Sequence, residues 1–343
     1  MFNINLGMEQ VFISGGAGFI GSNVAKHYLT KGYNVIVYDN LSRAGTEKNL
    51  EWLKKVGGKF KFVKGDIRDF KFLLNSVKKP NIIYHLAAQV AVTTSIKDPR
   101  TDFEINALGT FNMLEACRLK CPNAVFIYSS TNKVYGDLNE YRCGELKTRY
   151  KFTSSKLSRG IAENQNLDFH SPYGCSKGTG DQYVKDYSRI YGIKSIVFRQ
   201  SCIYGERQFG NEDQGWVMHF IKEILKKNDL KIFGDGKQVR DILYIDDLIS
   251  AYDLAIKKNR ISKGKVYNIG GGIENSYSLL ELIDYLRKKL SIKIKYKLED
   301  WRAGDQKIFI SDNSRIYKDL GWKPMINKKD GVNRLITWAN SIK

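Results

Sequence analysis

As far as Arg199 the chain repeats one unit: a short apolar run, a turn, a helical stretch and another short apolar run. The runs are VFIS (11–14), NVIVYDN (34–40), KFKFVKGD (59–66), NIIYHLAA (81–88), AVFIYSS (124–130) and KSIVFRQ (194–200). Strands separated by helical stretches cannot pair as tight hairpins; each connection crosses one face of the sheet and returns in the same direction. The pattern therefore predicts an α/β fold with a parallel sheet and helices on both faces. The density of Val, Ile, Phe and Tyr, with little polar alternation, suits strands covered on both sides. Beyond Arg199 the rhythm loosens into loops and helices, among them GDGKQVRDILYIDDL (234–248) and VYNIGGG (266–272).

Composition narrows the class. A chain of 343 residues, 42% hydrophobic and 12% aromatic, supplies a core for roughly two domains and lacks the bias of a disordered chain. MFNINLGMEQ has neither the basic start nor the apolar core of a secretion signal, and no apolar run approaches the roughly 20 residues that span a bilayer, so a cytoplasmic location is expected. The five cysteines (Cys117, Cys121, Cys143, Cys175, Cys202) form no CxxC pair, which points to free thiols in a reducing compartment and to no metal site. A net charge of +20 is one footprint of nucleic-acid binding. Here the lysines alternate with acids, as in KEILKKNDLK (222–231), and no compact basic block carries exposed aromatics. An anionic small substrate or a lysine-rich surface is the better reading, with neither nucleic acid nor membrane as partner.

SGGAGFIG (14–21) places Gly15, Gly18 and Gly21 in G-x-x-G-x-x-G spacing, with Phe19 and Ile20 opening a helical stretch. Glycines there let the chain turn tightly and let a diphosphate approach the backbone at a helix N-terminus. A glycine trio alone is weak evidence, but this one sits between a predicted strand and a predicted helix, and Asp39 ends the next strand at close to the expected interval. A carboxylate there accepts hydrogen bonds from ribose hydroxyls and repels a 2′-phosphate, favouring NAD over NADP. Ser42 and Arg43, just downstream, are residues of the kind that accommodate that phosphate, so the alternative stays open. Asp66 and Ile67 stand where an adenine would lie, or form an ordinary acidic turn. Leu86 and Ala87, in HLAAQ (85–89), allow cofactor and backbone to come close at the carboxyl edge of the sheet. The expected architecture is a Rossmann-type doubly wound parallel sheet with a smaller α/β substrate-binding lobe. Residues 8–200 form the NAD-binding domain, about 236–270 return to it, and 201–235 with 271–343 form the lobe.

SPYGCSK (171–177) sets Tyr173 and Lys177 four residues apart, neighbours on one helical face. Spacing alone does not separate a proton-transfer pair from an aromatic ring and a solvated charge.

With GGAGFIG, YSSTNKVYG, SPYGCSK and QVRDILYIDDL in order, the chain resembles the extended short-chain dehydrogenase/reductase family of nucleotide-sugar enzymes over nearly its whole length. The resemblance implies a catalytic Thr131, Tyr173 and Lys177, and a cofactor pocket built from the glycines with Asn40, Asp39 and Asp66. It adds Gln89, Asn106, Ser129 and Arg199 to that pocket. Tyr173 then takes the substrate's hydroxyl proton, Thr131 hydrogen-bonds the reacting oxygen, and Lys177 lowers the phenol pKa and binds the nicotinamide ribose. The insert between Thr148 and Pro172 further implies epimerisation at C2 of a CDP-sugar, with C4 epimerisation of a UDP-sugar and a dehydrogenase that releases NADH as alternatives. Sugar 4,6-dehydration is disfavoured because Thr131 is followed by Asn132-Lys133, where the dehydrating members carry an acid pair. Arg240 and Arg302 are the expected grips on the substrate diphosphate; Gln89, Asn132, His170, Arg207 and Trp216 are further pocket candidates. Tyr141, Tyr150 and Phe152 are expected to pack the insert. The resemblance also implies a homo-oligomer.

Overall fold

The computed structural model describes residues 9–302 and 304–342. Residues 1–8, on which the expectation about a leader rests, and Ala303 of WRAGDQ lie outside the described residues. The six predicted runs form strands of one sheet: β1 (Gln10–Ser14), β2 (Asn34–Asp39), β3 (Phe60–Lys64), β4 (Ile82–His85), β5 (Val125–Thr131) and β6 (Lys194–Gln200). A seventh, β7 (Val266–Ile269), completes the order β7-β6-β5-β4-β1-β2-β3, with every neighbouring pair parallel. Successive strand residues serve opposite faces. Val11, Ile13, Val35 and Val37 enter one core cluster, and Phe12, Ile36, Tyr38 and Ile83 the other. The chain winds outward from β1 to β3, then crosses back to β4. The carboxyl ends of β1 and β4 thus flank a topological switch point, where an open α/β sheet leaves a crevice.

A second, four-stranded sheet is centred on Val239–Tyr244, paired with Cys202–Tyr204, Ser276–Ser278 and Ile308–Phe309. This corrects one expectation about 236–270. The helix Ile245–Lys257 and β7 do return to the main sheet, Tyr252 packing against Tyr84 and Phe198. Val239–Tyr244 does not, because Cys202–Tyr204, leaving β6 almost at once, takes Ile242–Tyr244 as its partner. The buried Asp241 knots this junction, accepting hydrogen bonds from Ser201 Oγ and the backbone N–H groups of Gly272 and Ser311. At the start of the insert Tyr150–Phe152 pairs antiparallel with Cys143–Glu145, which precedes it. Tyr141 lies edge-on to Phe152, and Tyr150 packs with Val239 and Ile308. Among the described residues no helix is long and apolar enough to cross a membrane.

Candidate active site

A cleft of about 420 Å³ opens at the switch point and runs from the glycine turn to the second sheet. The glycine segment lines one end. Gly15 has φ +72°, and a Cβ there would lie 2.5 Å from the Ala87 nitrogen, so β1 and β4 approach this closely only with glycine. Gly18 caps the helix Phe19–Thr30 with no side-chain hydrogen bond, leaving first-turn N–H groups for a ligand. Asp39 accepts from the Ala17 N–H (3.0 Å) and the Leu41 N–H (2.8 Å), which aim it into the cleft. Burial raises its pKa against those two bonds. Asp66, beside it, is gripped by Arg68 (2.8 Å) and Asn40 (3.0 Å), which hold its carboxyl down at about 2. Phe19, Ile20, Gly21, Ser42, Ile67, Leu86 and Ala87 complete this end. An uncapped helix start, a side-chain-free turn and a carboxylate one strand over fit a dinucleotide diphosphate and ribose.

At the other end stand Ser129, Thr131, Tyr173 and Lys177. The helix Ser171–Ile190 lies tightly against β5: a Cβ on Gly180 would fall 2.4 Å from the Tyr128 hydroxyl. Glycine costs helix stability there, and the close approach sets Lys177 Nζ 2.6 Å from the Ser129 carbonyl and 4.4 Å over the Tyr128 ring. Burial lowers the Lys177 pKa to about 7, with Asp181 and Asp102 pulling it back up. Burial pushes the Tyr173 phenol up to about 12; a hydrogen bond with Thr131 and the charge of Arg43 work the other way, and Asp102 adds to the rise. In the substrate-free chain the Lys177 ammonium donates to the Ser129 carbonyl, and the cation that opposes the rise of the Tyr173 phenol is Arg43, which also lines the cleft.

Five predicted residues, Arg199, Gln89, Asn106, Arg240 and His170, do not line the cleft. Arg199 is 4% exposed and holds the carboxylate of the fully buried Asp181 with two 2.9 Å bonds, donating also to Tyr135 Oη, so its guanidinium neutralises a core charge instead of reaching a cofactor. Gln89 and Asn106 stand behind the wall, donating to the buried Asp102, which also accepts from Ser176. They position the helix that carries Tyr173. Arg240 donates to the Val239 carbonyl and lies 3.9 Å from Asp305, one layer behind the cleft. Asn132, Arg207, Trp216 and Arg302 do line it. Arg207 is clamped by Trp52 (4.2 Å) and Trp338 (5.9 Å), and Arg302 stacks 3.7 Å over Phe233 while donating to the Glu212 carbonyl. His170 lies outside: its two ring nitrogens face Asp168 (3.0 Å) and Asp137 (3.6 Å), a bridge between two carboxylates just ahead of the helix Ser171–Ile190. No local motif marks Asp102 or Asp181, and Lys133 stands out in the sequence only as the replacement for an acid.

The comparisons follow this geometry. The family model described as GDP-mannose 4,6 dehydratase matches residues 12–335. The chain belongs to that family, within the extended short-chain dehydrogenases/reductases. This extended dehydrogenase/reductase is 46% identical to CDP-paratose 2-epimerase of Salmonella typhi, over 97% of this chain and 100% of that protein. It is 34% identical to a putative UDP-glucose 4-epimerase of Methanocaldococcus jannaschii, over 97% and 99%. Among solved structures, UDP-glucuronic acid 4-epimerase from Bacillus cereus, in complex with UDP-glucuronic acid and NAD, superposes with a TM-score of 0.82 at 29% identity, covering 97% of this chain and 100% of that one. The cofactor of the family is NAD, and the chain is an enzyme acting on carbohydrate joined to a nucleotide.

Proposed function

We propose that this enzyme is a nucleotide-sugar epimerase that inverts C2 of CDP-paratose, the substrate named for its Salmonella relative. The observation that carries the reading is the 46% identity to CDP-paratose 2-epimerase over essentially both full lengths, joined to a Thr-Tyr-Lys set in one cleft. NAD, when bound, would supply an acceptor for a hydride from the sugar carbon, positive charge in the cleft, and the return of the same hydride to the opposite face. The glycine turn and the Phe19–Thr30 N-terminus would hold the diphosphate, and Asp39 the ribose. Thr131 hydrogen-bonds the reacting sugar oxygen and Tyr173. Tyr173 receives the hydroxyl proton and later gives it back; positive charge favours the phenolate it needs, and general acid–base help of this kind is worth roughly 10²–10⁴ in rate. Lys177, fixed on Ser129, orients the cofactor side of the pocket. Arg302 is the cleft-lining guanidinium suited to the substrate diphosphate, with Arg240 behind it.

The test is incubation with CDP-paratose and, in parallel, UDP-glucose, with products resolved by chromatography and ring-proton NMR. CDP-tyvelose from the first supports the reading; galactose configuration from the second, with the first untouched, replaces it with 4-epimerisation.

Two finer points belong to the same reading. Phe111 and Tyr183, 38% and 45% exposed with ring centroids 5.8 Å apart, lie on a face continued by Phe103, Leu108 and Ile190, an apolar surface suited to a second copy of the chain. Unpaired cysteines throughout accord with a cytoplasmic enzyme.

A further inference from the structure

The two residues after Thr131 are an amide and an amine where dehydrating relatives carry an acid pair; Asn132 is buried, Lys133 partly buried, and both reach the same place. Asn132 is 8% exposed and its Nδ2 lies 3.3 Å from Gln306 Oε1. Lys133 Nζ donates to the Gly304 carbonyl at 2.8 Å. Gln306, with no exposed surface, returns a hydrogen bond to the Gly136 carbonyl, just past the short helical turn Asn132–Tyr135. The segment Gly304–Gln306 is irregular chain between the strands Tyr296–Glu299 and Ile308–Phe309, and it carries Asp305 into the cleft wall beside Arg302. Arg302 itself is fixed to Glu212 and Phe233. Lys133, reaching Gly304 from the end of β5, is therefore used as a tie.

We infer that Asn132 and Lys133 are positioning residues that clasp the Gly304–Gln306 segment to the end of β5, and so fix the substrate-side wall at a set distance from Thr131 and Tyr173. The inference rests on the epimerase reading for its consequence and on geometry alone for the clasp. A sugar that must turn over between two hydride transfers needs a pocket roomy enough for rotation and closed enough for retention; a wall tied to the catalytic strand by side chains, not by a β-ladder, meets both needs. Burial beside Arg240 lowers the Lys133 pKa to about 8, so the tie holds a cation at a real cost that Asp305 offsets in part.

The test uses the full-length enzyme as wild type, Lys133→Met, Lys133→Arg and Asn132→Ala. Hydrogen exchange of the Asp305, Gln306 and Lys307 amides, without substrate, is expected to quicken about tenfold or more in Lys133→Met, the scale of losing one buried charged hydrogen bond. Exchange in β5 and in the helix Ser171–Ile190 should be unchanged. With CDP-paratose, KM should rise about tenfold with a smaller change in kcat, and Lys133→Arg should recover most of both. Unchanged exchange at 305–307 in both Lys133→Met and Asn132→Ala overturns the clasp. Wild-type inactivity on CDP-paratose, with the exchange difference present, overturns the epimerase reading and leaves the clasp standing.

Discussion

Tyr173 and Lys177 stand one helical turn apart, and burial moves them in opposite directions: the phenol rises to about 12 and the ammonium falls to about 7. At neutral pH the substrate-free pair is thus a protonated phenol beside an amine whose positive charge burial disfavours. The proton acceptor has to be created by positive charge arriving in the cleft. Replacing Tyr173 by Phe removes that acceptor and little else, since the ring stays. kcat should fall roughly 10²–10⁴-fold while NAD still binds and Tm changes little, as read by turnover and by cofactor-dependent melting.

The depressed Lys177 has a stability consequence whose sign is fixed. Between about 7 and the ordinary 10.5 the unfolded chain binds more protons at this site, so its contribution to stability grows as pH rises through that window and is least below it. In NAD-free protein, Lys177→Met should therefore be most favourable relative to wild type near pH 6 and should lose that advantage by pH 10. The scale is on the order of a few kcal/mol, less the lost bond to Ser129. Urea titrations at several pH values measure it. A difference that does not vary with pH would remove burial as the cause of the shift.

Arg199 and Asp181 make the opposite case, a buried pair with no access to the cleft. Arg199→Met leaves an unpaired carboxylate in the core and should destabilise the fold by about 3–5 kcal/mol. At a temperature where the variant stays folded, its NAD affinity should match that of wild type.

Asp39 should behave otherwise. Its two oxygens are already oriented by Ala17 and Leu41, so Asp39→Asn should weaken NAD binding by roughly tenfold, the worth of a charge-assisted hydrogen bond. Titration calorimetry with NAD and NADP reads both the loss and the expected gain in relative tolerance of the 2′-phosphate.

The apolar face gives a further check. Phe111→Glu should shift the enzyme to monomer in sedimentation velocity if that face is the subunit contact, and should leave the sedimentation coefficient unchanged if it is not.

The main sheet was legible because each buried strand is a dense apolar run punctuated by a turn and a helix, and because the Gly15–Gly21 spacing and Asp39 require adjacent strands. That Thr131, Tyr173 and Lys177 share one cleft was legible by resemblance. Arg199 was not, since no local pattern says whether an arginine ending a buried strand meets a phosphate or a buried acid such as Asp181, 18 residues earlier on another element. Asp102 was hidden for the same reason: its partners Gln89, Asn106 and Ser176 come from three separate segments. The second sheet escaped because Val239–Tyr244 takes partners 30 or more residues away on either side.

The central claim is that one carbon is oxidised and reduced again by the same hydride without exchange with water. CDP-paratose carrying deuterium at C2, incubated with the enzyme in ordinary water, should yield CDP-tyvelose with the label still at C2 by NMR and no net change in absorbance at the NADH wavelength. Loss of the label to solvent at the inverted carbon would contradict the account.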